Sequence, residues 1–131
     1  MREVAEDLVA LHPGGRLTVE GLMSKASFEA DGCTLKNWDL ERMGLTALPE
    51  SLGDLTLSRD LDLGFNKIST LPESFASITL GGNLYLSRNE ISTLPESFGS
   101  VTVGGGLYLQ NNNRLTTFPK SFPNVKGKVK K

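Results

Sequence analysis

The sequence predicts a β-dominated solenoid of stacked short strands with a helical N-terminal cap. Three observations predict it. A 23-residue phrase recurs four times. Each copy opens on an apolar-x-apolar triplet, which puts two side chains on one face of a short strand. A polar amide follows at a constant distance in three of the copies. No single copy can bury its apolar face, so the copies must stack into one continuous core.

Residues 1–36 read as the cap. Val4, Leu8 and Leu11 fall on one face of a helix, and His12-Pro13-Gly14-Gly15 stops it. A second helix is expected from Thr18 to about Phe28, with Thr18 as its N-cap and Asp31-Gly32 as its terminator. Leu17-Thr18-Val19 also echoes Val101-Thr102-Val103, so a decayed repeat competes with the helical reading.

The four coils span residues 37–125. Their strand triplets are Trp38-Asp39-Leu40, Leu61-Asp62-Leu63, Leu84-Tyr85-Leu86 and Leu107-Tyr108-Leu109. Asn66, Asn89 and Asn112 follow, with Met43 standing at that position in the first coil. Their amides face backbone groups that a sharp turn leaves unpaired, so a hydrogen-bonded ladder is expected. A one-residue insertion among Asn111, Asn112 and Asn113 shifts the next apolar position to Leu115. Leu52, Phe75, Phe98 and Phe122 should stack as a spine on the far side. Leu55-Thr56-Leu57, Ile78-Thr79-Leu80 and Val101-Thr102-Val103 alternate and carry β-branched residues, which favours short convex strands with little helix. Residues 126–131 read as a basic C-terminal tail, either solvated, or keeping the last edge strand from pairing, or serving as a polybasic tether for an acidic protein, RNA or an anionic membrane.

These phrases, Leu-x-Leu-x-x-Asn-x-Ile/Leu followed by Leu-Pro-Glu-Ser-Phe and Thr-Val-Gly-Gly, resemble leucine-rich repeats (LRRs). They are closer to those of bacteria and protists than to Cys-flanked receptor repeats. The resemblance implies a right-handed solenoid with short parallel strands on a concave face, and protein recognition through that face.

On that face the outward positions form columns about 4.8 Å apart per coil. One reads Asp39, Asp62, Tyr85 and Tyr108. The next reads Glu41, Gly64, Ser87 and Gln110, a third Arg42, Phe65, Arg88 and Asn111, and a flanking one Asn37, Asp60, Asn83 and Gly106. Tyr, Arg and exposed Phe are enriched at binding hot spots. The expected partner-binding residues are therefore Asp39, Arg42, Asp62, Phe65, Tyr85, Arg88, Tyr108 and Gln110. Stacked tyrosines can also simply stabilise neighbouring strands.

The chemistry-bearing residues are few. One His and one Cys occur in 131 residues. His12 sits at a turn and reads as an exposed loop residue. Cys33 reads as a buried small residue or an idle thiol. Asp39 with Glu41, or Asp60 with Asp62, could hold a cation, yet they read better as a solvated acidic strip. Gly104-Gly105-Gly106 lacks the lysine and helix of a phosphate loop. No catalysis, cofactor or metal is expected. The formal charge of −1 combines fifteen acids and nine bases before Lys120 with five lysines from Lys120 onward. That balance argues against a specific nucleic-acid binder. No apolar run is long enough to span a bilayer, and the acidic N-terminus is unlike a signal peptide. The expected setting is intracellular and cytoplasmic.

The expected function is recognition of another protein through the concave face. The alternative is a structural subunit, or the N-terminal part of a larger repeat protein, docking or weakly self-associating through its C-terminal coil.

Overall fold

A computed structural model describes residues 1–131. The cap opens with helix α1 (Arg2–Leu11), whose Val4, Ala5 and Leu8 are buried. Helix α2 (Val19–Met23) begins at the expected N-cap, where the Thr18 hydroxyl oxygen accepts the Gly21 amide proton at 3.0 Å. It stops five residues short of Phe28. Strand β1 (Ala26–Phe28) follows and pairs antiparallel with β2 (Leu35–Asp39). The second helix was thus expected too long, and Leu17-Thr18-Val19 enters a helix rather than a repeat strand. Asp31 does not end a helix but builds the hairpin turn. Its carboxylate accepts from the Cys33 and Thr34 amides, both at 2.8 Å, and from the Thr34 hydroxyl at 2.6 Å. Led by the Thr34 hydroxyl, these bonds hold the carboxyl down at about 2.

The concave sheet continues through β4 (Leu61–Asp62), β6 (Leu84–Tyr85), β8 (Leu107–Tyr108) and β9 (Val129–Lys130), all parallel to β2. On the convex side, β3 (Thr56–Leu57), β5 (Thr79–Leu80) and β7 (Thr102–Val103) form a second parallel sheet. Both sets of strands match the alternation in the sequence. Three 3₁₀ turns, Glu50–Asp54, Glu73–Ser77 and Glu96–Ser100, were not expected. Each follows a proline whose fixed φ starts the turn, and each buries Leu52, Phe75 or Phe98. The aromatic spine packs at centroid separations of 5.8 Å (Phe75–Phe98) and 6.1 Å (Phe98–Phe122).

A single apolar core runs the length of the stack, from Val4 to Leu115. Trp38 is fully buried and joins cap to coil, donating its indole N–H to the Leu22 carbonyl at 2.8 Å. His12 is a strut, not a free loop residue. Its Nδ1 lies 2.7 Å from the Leu8 carbonyl, and its Nε2 accepts the Thr46 amide proton at 2.8 Å. That geometry places the ring proton on Nδ1. Ser51 adds a bond from its hydroxyl to Asp7 at 2.6 Å.

Residues 126–131 are not a tail. Leu107 and Leu109 donate their amides to the Lys128 and Lys130 carbonyls at 2.8 and 2.7 Å. Val129 alternates inward beneath them, so the segment begins a fifth coil. The lysines do not keep the β8 edge unpaired. They extend it.

Candidate functional site

Two side-chain ladders hold the concave sheet. The inner one is Asn66, Asn89 and Asn112, all buried. Asn66 Oδ1 accepts from the Met43 and Leu45 amides, Asn89 Oδ1 from Ile68 and Asn112 Oδ1 from Ile91, each at 3.0 Å. Their Nδ2 groups donate to carbonyls of their own coil and of the preceding one, as Asn89 does to Leu86 and Leu63. The amides bond the backbone groups of the turns, as expected, and it is through these bonds that the ladder links one coil to the next. The insertion in the fourth coil falls after Asn112, since that residue keeps its ladder place.

The outer ladder is the column that the sequence places at the flank of the concave face. Asn37, Asp60 and Asn83 each accept the amide proton of the equivalent residue in the next coil, at 2.9, 2.6 and 2.7 Å. The signal was present, because each coil but the fourth carries an acceptor side chain just before its strand. It was read as surface chemistry instead of inter-coil bonding.

Between the ladders lies the face itself. Asp39, Asp62, Tyr85 and Tyr108 share one register position on neighbouring strands, and Lys130 continues the column. The tyrosine rings stack at 4.9 Å and 14° from parallel. Lys130 Nζ lies 5.6 Å from the Tyr108 ring centroid, within cation–π range. Tyr85 Oη accepts from Asn83 Nδ2 at 3.0 Å. Burial, reinforced by the charges of Asp60 and Asp62, raises its phenol pKa above the usual range.

The Arg42, Phe65, Arg88 and Asn111 column lies at the corner after each strand rather than on the flat sheet. All four adopt left-handed backbone, with φ of 57, 54, 56 and 64°. The conformation lets the following ladder position turn inward, and it costs Arg and Phe roughly 1 kcal/mol each. The Phe65 ring sits between two guanidiniums, 4.0 Å from Arg42 and 5.1 Å from Arg88. Gln110 turns its Oε1 into the protein without a hydrogen-bond partner.

The first two coils are acidic. Carboxylate oxygens of Asp39, Glu41 and Asp62 lie within 4.8 Å of one another, a donor set of the kind that holds hard cations. No Lys or Arg reaches Asp39, Asp60 or Asp62. Asp62 is half-buried, and its pKa is raised by burial first and then by Glu41, Asp39 and Asp60. A shallow cleft of about 230 Å³ opens here, lined by Asn37, Trp38, Asp39, Asp60, Asp62 and Tyr85. Cys33 is exposed in the hairpin turn, which removes the buried alternative for it. It lies far in sequence from His12, whose ring nitrogens are both engaged.

Stacked parallel strands, a buried asparagine in each of three coils and a 3₁₀ turn in each of three define a repeat solenoid. Residues 83–101 match the family model Leucine Rich Repeat. The same strand and 3₁₀ pattern occurs in the two preceding coils, an arrangement consistent with leucine-rich repeats, whose usual role is protein binding. A search of curated proteins finds no match. No helix is long and apolar enough to cross a membrane.

Proposed function

We propose that the chain is a protein-interaction module that holds its partner on the concave face, through Asp39, Arg42, Asp62, Phe65, Tyr85, Arg88, Tyr108 and Gln110. The observation that carries this reading is the Tyr85–Tyr108 pair, half-exposed on strands locked by ladders on both sides. A rigid face binds without the entropic cost of ordering its own side chains. No catalytic role is proposed, and leucine-rich repeats are typically non-enzymatic. The setting proposed with this reading is intracellular and cytoplasmic.

The test is partner capture by full-length chain and by the Tyr85→Ala/Tyr108→Ala variant, with circular dichroism of both. Loss of capture with an intact fold supports the reading. Equal capture by both rules out the tyrosine face.

A second reading has its own observation. Strand β9 has a neighbour on one side only, its Val129 is partly exposed, and so is Phe122 at the end of the aromatic spine. The last coil could dock onto another surface or a second copy. Light scattering over a dilution series tests the second-copy form, and a monomer at every concentration sinks it.

A further inference from the structure

We propose that the concave strip takes an extended segment of a partner protein in one fixed orientation, with a basic side chain over the first two coils and an acidic side chain over the last. The inference rests on the concave-face reading and adds the chemistry and orientation of the occupant.

The shape argues for a segment rather than a globular domain. The parallel strands of coils two to five are two residues long, and five strands at about 4.8 Å make a strip roughly 20 Å from first to last. A globular partner needs about 800 Å² on each side, which so narrow a strip does not offer. An extended chain laid across the strands follows the Asp39–Asp62–Tyr85–Tyr108–Lys130 column.

The charge along that column sets the orientation. At one end Asp39 and Asp62 each fix one carboxylate oxygen on a backbone amide, Glu41 at 3.1 Å and Gly64 at 2.9 Å. Neither carboxylate has a basic partner. The cleft between them is walled on one side by Tyr85. A guanidinium or ammonium seated there meets paired carboxylates and an aromatic wall. It would also relieve the repulsion that burdens Asp62. At the other end Lys130 lies over Tyr108 and has no acidic partner. Lys128, in the same strand region, is exposed. From the acidic cleft to Lys130 is about 17 Å, or about five residues of extended chain.

The test uses the full chain and a displayed library of random dodecapeptides. Selection is expected to enrich peptides with an Arg or Lys and an Asp or Glu about five residues apart. For the synthetic form of an enriched peptide, Asp39→Asn/Asp62→Asn should weaken binding about tenfold. Asparagine keeps the Oδ1 that accepts the backbone amide, so the fold is not at risk. Lys130→Glu should also weaken binding, and a peptide with its acid changed to Lys should restore it on that variant alone. Enriched peptides without the charge pair, or binding indifferent to these changes, overturn the inference. If Tyr85→Ala/Tyr108→Ala still abolishes such binding, the concave-face reading survives. If it has no effect, both fail. An enrichment that yields no binder also overturns the inference. So does calcium chloride alone, if it shifts Asp39, Glu41 and Asp62 resonances and displaces the peptide, because the acidic end is then a cation site.

Discussion

The ring of Tyr85 lies 4.9 Å from that of Tyr108 and 14° from parallel, at one register position of adjacent parallel strands. Leu84 and Leu107 are fully buried beneath them, so the core does not depend on the rings. A double-mutant cycle with alanine, read by urea unfolding, should give a coupling of about 1 kcal/mol. Tyr85→Phe should keep most of that coupling, because only the bond from Asn83 is lost. A coupling near zero would mean the rings do not stack in solution.

The two ladders should differ in energetic weight. Asn89→Ala strips partners from the Ile68 amide and from the Leu63 and Leu86 carbonyls inside the core. The expected cost is about 3 kcal/mol. Asn83→Ala, at the half-exposed outer ladder, should cost about 1 kcal/mol. Denaturation midpoints at constant slope measure both, and equal costs would remove the distinction between inner and outer ladders.

The convex corners leave no room for a side chain. A Cβ on Gly104 would overlap the carbonyl oxygen of Gly81 in the coil below, and one on Gly81 would overlap that of Ser58. Backbone cannot yield as a flexible side chain does. Gly104→Ala should therefore destabilise by about 2 kcal/mol or more. Gly127 packs against Gly105 and Gly106 in the same way. Thermal unfolding decides, and an unchanged melting temperature would contradict the close stacking.

Asp62 should lower stability when it ionises. Its pKa is raised in the fold, mainly by burial, so the native state holds the proton more tightly than the unfolded chain. Any stability from that proton is present at low pH and lost as pH rises through the raised pKa. Asp62→Asn should then raise the melting temperature at pH 7, and the gain should vanish below pH about 3.8, the ordinary carboxyl value. A loss of stability at pH 7 would show that the charge is compensated.

Asp31 should behave in the opposite sense. Its carboxyl pKa is lowered to about 2 from 3.8 by bonds to Thr34 and Cys33. The stabilisation is present above pH about 3.8 and is lost as pH falls through about 2. In an NMR titration the Thr34 amide should move with the Asp31 carboxyl near pH 2. Titration near 3.8 would mean the turn is open.

The sequence by itself determined the repeat, its register and its core. Those follow from a 23-residue recurrence of apolar positions, and apolar burial is local enough to be read from periodicity. Thr18 as an N-cap and the convex strands were legible for the same reason. Only the tertiary structure decided what depended on a neighbouring coil. Asp60 looks like a surface acid until Asn83, 23 residues later, is seen donating to it at 2.6 Å. His12 looks idle until Thr46, 34 residues away, meets its ring. The lysines after Val125 look like a tail until Leu107 and Leu109 are found bonded to their backbone. A side chain's role as acceptor or brace is set by what stacks against it. One coil's residues do not contain that information, since the partner comes from the coil above or below.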